Sequence, residues 1–129
     1  MQYFYLADPR AYFFVKEEVS FAETRGDNYD RTGSLTRLGL HAPLDLWGPV
    51  DLDASTGFDW GTYPDYTSLS VLDLNQREDR RLDVYTALTY HWNQDLATRV
   101  FHRFINSDND NGFYERDRHL AGVEVVFSL

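Results

Sequence analysis

The sequence predicts an all-β protein folded as an antiparallel up-and-down meander. Apolar and polar residues alternate with a period of two through most of the chain, and turn-forming or polar stretches separate the alternating segments. The 129 residues suit one domain, so we take residues 1–129 as a single β domain. No segment approaches the roughly 18 consecutive apolar residues of a membrane-spanning helix, which excludes a helical membrane protein.

Seven segments are predicted to be strands, and in chain order they are residues 2–7, 11–23, 35–42, 50–60, 82–92, 96–105 and 119–127. The first is short and ends at the turn-forming sequence Asp8-Pro9-Arg10. The second alternates less cleanly, because Glu17 falls on its apolar side. The third opposes leucine and alanine to Arg37 and His41, which is the pattern of a strand with one apolar and one polar face.

The last four segments repeat this two-faced pattern. The fourth opposes valine, leucine, phenylalanine and tryptophan to three aspartates, and the fifth opposes Leu82 and Val84 to Asp83. The sixth is less regular, because His102 falls among its apolar positions. The closing segment alternates alanine, valine and phenylalanine with glycine and glutamate. All four are therefore predicted to be half-buried strands.

The predicted connections alternate in length. Short turns are expected at residues 47–49 and 93–95, and long polar loops at residues 24–34, 61–80 and 106–118. This alternation is characteristic of transmembrane β-barrels, whose bacterial single-chain members have an even number of strands, at least eight. Seven strands therefore predict either a fragment or one chain of a larger barrel, or an eighth strand within residues 67–74. We favour the first alternative.

Tryptophan and phenylalanine are expected at both rims of the sheet. If the short turns mark one rim, Trp47, Trp92 and Phe127 lie near it, and Trp60 lies toward the other. Two aromatic belts separated by leucine, valine and alanine are typical of the interfaces between a barrel and its membrane. These four residues are therefore the predicted membrane-interface aromatics. The alternative is that they cover the ends of an ordinary core.

The closing segment carries a short motif. Gly122 is followed by Val125 and then by Phe127, and this spacing resembles the C-terminal signal of bacterial outer-membrane proteins. The resemblance implies that the barrel-assembly machinery recognises the last strand and that the protein resides in the bacterial outer membrane. Gly122, Val125 and Phe127 are the residues that it assigns to the assembly signal.

A second resemblance covers the C-terminal part of the chain. Arg81-Leu82-Asp83 opens a strand, residues 107–111 are rich in asparagine and aspartate, and Tyr114-Glu115-Arg116 follows before the closing strand. This arrangement is similar to the C-terminal repeats of large porin-like and export barrels. It implies an antiparallel barrel in contact with outer-membrane lipid, of which this chain is the C-terminal portion, with other barrel segments or chains as partners.

The polar face of the predicted strands is where a function is expected. If the apolar face contacts lipid, the polar face lines a water-filled interior whose charges tune the passage of solutes. The predicted pore-lining residues are Lys16, Glu18, Arg37, Asp51, Asp53, Asp59, Asp83, Arg99, Arg103 and Glu124. The expected neighbours across the sheet are Arg37 with Asp59, Thr89 with Arg99, and Asp83 diagonally with Arg103. A salt-bridged lumen without selectivity would explain the same residues, and their mixed charges predict no net selectivity.

Composition argues against several other functions. Twelve lysines and arginines are dispersed among twenty-one acids, for a net charge of −9, so no basic surface for nucleic acid is expected. Cysteine is absent, which excludes a thiolate metal site and a thiol nucleophile. His41 and His91 are expected near each other on the polar face, but no third ligand completes a metal site. We predict no enzymatic activity, catalytic residue, metal or other cofactor.

Two hypotheses about function follow. The leading one is an outer-membrane β-barrel that forms a porin-like pore or export conduit with acidic surface loops. The rival is a soluble β-sandwich or lipocalin-like module that binds a small ligand or carbohydrate through Trp60, Tyr63 and Tyr66. A soluble barrel points its apolar residues inward, so exposure of Leu82 and Val84 distinguishes the two. The alternation of apolar and polar residues is the same whether the apolar face lies inside or outside a barrel, so it does not distinguish the two hypotheses.

Overall fold

The computed structural model describes residues 1–23, 30–44, 48–63, 77–109 and 116–127. These residues form seven strands: β1 (Gln2–Tyr5), β2 (Tyr12–Ala22), β3 (Arg31–Pro43), β4 (Val50–Tyr63), β5 (Arg77–His91), β6 (Leu96–Asn109) and β7 (Arg116–Phe127). All seven belong to one antiparallel sheet, in which they follow one another in chain order. The predicted all-β meander is confirmed. Among the described residues no helix is long and apolar enough to cross a bilayer.

Several strands extend beyond their predicted limits. β3 begins at Arg31, β5 begins at Arg77, β6 continues to Asn109 and β7 begins at Arg116. Cross-strand pairing continues through these polar extensions, as where Tyr63 lies opposite Arg77. Both sides of the extensions are largely polar, so hydrophobic alternation did not reveal them. The loop limits predicted from the sequence are therefore wrong.

The connections lie at two ends of the sheet. Those after β1, β3 and β5 lie at one end, called the turn end, and those after β2, β4 and β6 lie at the other, called the loop end. Their lengths differ less than predicted, since the connection after β3 spans residues 44–49 and that after β6 spans residues 110–115. The segment 67–74, considered as an eighth strand, lies outside the described residues.

Local hydrogen bonds shape the connections at the turn end. Asn93 Oδ1 accepts the backbone N–H of Leu96 at 2.9 Å, and Asp8 Oδ1 accepts that of Arg10 at 2.9 Å. The side-chain hydrogen bond from Arg10, and then the backbone one, lower the pKa of the Asp8 carboxyl. Gly48 has a φ of 129°, a backbone conformation that side chains disfavour, so glycine suits the turn after β3.

The register assigns each strand residue to one of two faces. Even-numbered residues of β1, β3, β4, β5 and β6, with odd-numbered residues of β2 and β7, share the apolar face; the others form the polar face. The apolar face is largely exposed, whereas the buried strand side chains lie on the polar face and are Asp83, Ala87, Thr89, Ala97 and Ile105. The sheet therefore encloses its polar face more than its apolar face.

The described sheet is open. β1 and β7 are its outer strands, and they do not pair with each other within the described residues. β1 covers only Tyr12–Val15 of β2, so residues 16–22 have no neighbouring strand on that side among the described segments. The sequence left a complete barrel open as an alternative, but these seven strands do not close into one. Uncovered strand edges are places where further strands pair.

Candidate functional site

All ten residues predicted to line a pore lie on the polar face of the sheet. Their role in lining a pore stays a prediction. The same face carries five arginines that the sequence analysis did not select, because they lie in or beside segments predicted as loops. They are Arg31, Arg77, Arg81, Arg116 and Arg118.

Asp83 links three strands on the polar face. Its side chain is only 9% exposed. Arg103 Nε donates to Asp83 Oδ1 at 2.7 Å, and a second guanidinium N–H of Arg103 donates to Oδ2. Arg37 Nη2 donates to the same Oδ2 at 3.2 Å. The predicted diagonal contact of Asp83 with Arg103 is confirmed, and this bidentate pair with its third donor braces β3, β5 and β6.

The predicted pairing of Arg37 with Asp59 is wrong. Arg37 lies opposite Gly57, and Asp59 lies opposite Leu35. The prediction assumed a three-residue turn after the third strand, whereas residues 44–49 separate β3 from β4. The observed pairing is centred on residue 47, since Pro43 lies opposite Asp51, whereas the predicted turn is centred on residue 48; the register therefore differs by two residues, and Arg37 faces a glycine.

That glycine opens the path by which Arg37 reaches across β4. A Cβ atom added to Gly57 would lie 3.2 Å from Arg37 Nε, so the arginine side chain runs directly over this position. Arg31 uses Gly33 and Gly61 in the same way, and its Nη2 donates to Asp59 Oδ1 at 2.7 Å. Glycines on the polar face thus leave room for arginines to cross it.

Two adjoining grooves lie on the loop-end half of the polar face. The first has a volume of about 310 Å³, and its lining includes Arg31, Tyr63, Arg77, Asp79 and Ser107. The second, of about 210 Å³, is lined by residues that include Arg37, Asp83 and Arg103. Asp59 and Arg81 line both. Together we call them the arginine groove.

Histidines and aspartates occupy the turn-end half of the polar face. His41 Nδ1 lies 2.8 Å from Asp53 Oδ1, and His91 Nε2 lies 2.8 Å from Asp51 Oδ2. The ring of Tyr12 stacks on that of His41 at 5.1 Å. The two histidines are on β3 and β5, each with its own aspartate on β4 between them. No group of three metal-ligating side chains occurs among the described residues.

The remaining candidates form salt bridges between neighbours. Lys16 is paired with Glu18 on β2. Arg99 lies opposite Thr89, as predicted, and its Nε donates to Thr89 Oγ1 at 3.1 Å. Arg99 Nη1 also lies 3.8 Å from Glu124 Oε2. These pairs are partly exposed, so each is expected to contribute little to stability.

The predicted interface aromatics that the structure describes lie near the two ends of the sheet. Trp92 and Phe127 are exposed at the turn end, and Trp60 is exposed toward the loop end. Trp92 Nε1 donates to Thr98 Oγ1 at 2.9 Å, which fixes the indole beside the apolar face. Trp47 lies outside the described residues. The positions are those expected of two aromatic belts, and contact with a membrane stays a prediction.

The three residues of the predicted assembly signal lie on β7, which is an outer strand of the sheet. Val125 and Phe127 are exposed on the apolar face. Gly122 lies opposite Phe101 on the polar face, where an added Cβ atom would be 2.7 Å from the Phe101 ring. Gly122 therefore has a packing role in addition to any role as a signal.

We expect the substitution Gly122→Val to lower the free energy of unfolding by about 1–3 kcal/mol, because the new side chain overlaps Phe101. The measurement is urea unfolding of the chain refolded without assembly factors. Adding Phe101→Ala should remove part of the cost of Gly122→Val, since the two positions are coupled. If Gly122→Val leaves stability unchanged, the packing role is wrong and only the signal remains.

A few polar residues interrupt the apolar face, two of them as the sequence predicts. Glu17 Oε2 accepts a hydrogen bond from Thr36 Oγ1 at 3.0 Å. His102 lies against His119, with ring centroids 5.5 Å apart and ring nitrogens 3.4 Å apart. Neighbouring polar groups on the same face thus satisfy these side chains in pairs.

Comparison of the chain with protein-family models, with curated protein sequences and with solved structures gives no match.

Proposed function

We propose that this chain is part of an outer-membrane β-barrel that acts as a porin-like pore or export conduit, with its apolar face toward lipid. The exposure of that face carries the proposal. Leu82, Val84 and Leu88 of β5 are 37%, 36% and 46% exposed, whereas Asp83 and Ala87 on the opposite face are buried. A soluble barrel would bury the apolar residues and expose the charged ones.

The extent of the apolar face supports the same proposal. On β4, residues 50–58 present apolar or threonine side chains to this face, and they pair with residues 82–90 of β5, which do the same. Each of these segments has nine residues, and a tilted strand crosses the hydrocarbon core of a bilayer with about 9–11 residues. Trp60 and Trp92 lie just beyond the two limits, where interfacial aromatics are typical.

Around the level of Trp60, toward the loop end, the apolar face becomes polar. Arg80 lies opposite Trp60, Glu78 lies beyond it, and Asn106 and Asp117 lie opposite each other on β6 and β7. Charged side chains cost less near the interfaces than at the bilayer midplane. We therefore place the loop end at the cell surface and the turn end at the periplasmic side, with the acidic loops outside.

Closing such a barrel requires further strands. The seven described strands form an open sheet, and bacterial single-chain barrels have at least eight. In this proposal other segments or chains pair with β7 on one side and with β1 and β2 on the other. The uncovered edge of β7 is also the part that the barrel-assembly machinery would bind.

The rival binding module receives less support from the geometry. Trp60 lies on the apolar face and Tyr63 lies on the polar face, so these two aromatics do not form one surface. Tyr66 lies outside the described residues. The pore or conduit is therefore the function that we propose.

The proposal is tested by refolding the chain with and without detergent micelles. We expect strand signal in far-UV circular dichroism, and a gel band whose mobility changes on heating, only in detergent. Conductance in planar bilayers then tests for a pore. A monodisperse protein that unfolds cooperatively in plain buffer would contradict the proposal and support the soluble module.

A further inference from the structure

We infer that the arginine groove binds solutes that carry an oxyanion, such as a carboxylate or phosphate group, with Arg81 as its free guanidinium. This inference deepens the proposed function, on which it rests for its biological meaning, by naming the class of solute. It begins with the distribution of charge. The chain has a net charge of −9, yet the polar-face side chains that line the groove comprise five arginines and three aspartates.

Each of the three aspartates already binds an arginine of the groove. Asp59 binds Arg31, and Asp79 binds Arg77 through two hydrogen bonds of 2.8 and 2.9 Å. Asp83 is shared between two guanidinium groups, so one carboxylate there faces two positive charges. Arg80 and Asp108 also line the groove; they lie opposite each other and have opposite charges, so the groove keeps a positive charge after its pairs are counted.

Arg81 is the guanidinium that has no such partner. It lines both grooves and is exposed, and in the described part of the chain its charge acts on Asp83 without forming an ion pair or a hydrogen bond with it. Ser107 lies directly opposite it on β6. A guanidinium presents its N–H groups in a fork that fits two oxygens of a carboxylate or phosphate, and the serine hydroxyl offers one more donor.

The surroundings of Arg81 are held in place. Arg77 lies over the ring of Tyr63 at 5.0 Å and is bound to Asp79, while Arg37 and Arg103 are fixed on Asp83. Donors that are already ordered lose little freedom when a ligand arrives. On β7, Arg116 and Arg118 extend the positive surface across the same face.

The turn-end half of the polar face is different, because Asp51 and Asp53 lie there beside histidines. The loop-end half thus has an excess of arginine, whereas in the turn-end half Asp51, Asp53 and Glu124 outnumber Arg99. This difference is not visible in the sequence, because without the strand register the polar face is one set of mixed charges. In a conduit with the proposed orientation, an anionic solute would meet the arginine groove near the loop end first.

The test uses the refolded full chain, with inorganic pyrophosphate and citrate as probes, in isothermal titration calorimetry at low salt. We expect binding that weakens as sodium chloride is added, and Arg81→Gln should weaken it about tenfold or more. Arg10→Gln removes the same charge at the turn end and should leave affinity unchanged. Circular dichroism checks that both variants fold. Folding is expected because Arg81 has no ion-pair partner to lose, and because the pair of Arg10 with Asp8 is exposed.

The outcomes separate the inference from the proposed function. A chain that folds in detergent but binds neither probe, or binds them equally well after Arg81→Gln, overturns the inference and leaves the barrel intact. A chain that folds in plain buffer and still shows Arg81-dependent binding keeps the anion site and overturns the membrane proposal. Binding of pyrophosphate without citrate would restrict the solute class to phosphates.

Discussion

Asp83→Asn is expected to lower the free energy of unfolding by about 3 kcal/mol. The side chain is 9% exposed and binds both Arg37 and Arg103, so neutral asparagine leaves two guanidinium groups close together without their shared negative charge. The measurement is urea unfolding of the refolded chain, followed by far-UV circular dichroism. Asparagine has nearly the same shape as aspartate, so the loss would report charge and hydrogen bonding more than packing.

The matched control for this prediction is Asp8→Asn. Asp8 also binds an arginine, Arg10, but this pair is exposed in a turn. Loss of the pair should lower the free energy of unfolding by well under about 1 kcal/mol. A further comparison uses Arg37→Gln, which should cost less in the Asp83→Asn background than in the unchanged chain. If Asp83→Asn and Asp8→Asn lower the free energy of unfolding equally, the contacts of Asp83 with Arg37 and Arg103 stabilise the protein no more than the exposed pair of Asp8 with Arg10.

Val84→Arg should destabilise the chain by about 2–4 kcal/mol in lipid vesicles, because it would place a charge near the middle of the lipid-facing surface. Val84 lies at the centre of β5 on the apolar face and is 36% exposed. On a water-facing surface the same substitution would change stability by no more than about 0.5 kcal/mol. The prediction therefore depends on the medium, and unfolding free energies in vesicles measure it.

Thr62→Arg is the control for Val84→Arg. Thr62 lies on the same face but at the end of β4 near the loop end, opposite Glu78. An arginine there would sit near the interface, where its expected cost is about 0–1 kcal/mol. If Val84→Arg costs no more than Thr62→Arg in vesicles, the apolar face does not contact hydrocarbon and the proposed orientation is wrong.

Much of the sheet could be predicted because alternation survives wherever the two faces differ in polarity. The common face of Lys16, Asp83 and Glu124 follows from period-two patterns, and the strand order follows from these patterns together with the alternating connections. The strand ends could not be predicted, since Arg77 and Arg116 lie in segments that are polar on both sides. There, backbone hydrogen bonding extends the strands without a hydrophobic signal.

The sequence predicts which face of the sheet carries the residues of the candidate site, but not all of the contacts between them. The diagonal of Asp83 with Arg103 was found because the predicted turn, residues 93–95, has the same centre as the observed pairing of His91 with Ala97. The partner of Arg37 was not, because a two-residue error in the turn after β3 replaced Gly57 with Asp59. Arg81 appeared only in the motif that opens the fifth strand and was not selected as a polar-face residue, since its lack of an ion pair becomes visible only when its neighbours are placed.

The amino-acid sequence by itself determined the all-β class, the strand order and which residues share a face, because side chains alternate strictly along a strand. Only the tertiary structure decided which face is enclosed and which arginines and aspartates meet. Alternation is symmetric with respect to inside and outside, and register depends on how many residues each connection uses. The exposed Val84 and the buried Asp83 are adjacent in sequence, and their different surroundings follow from the folding of the sheet toward its polar face.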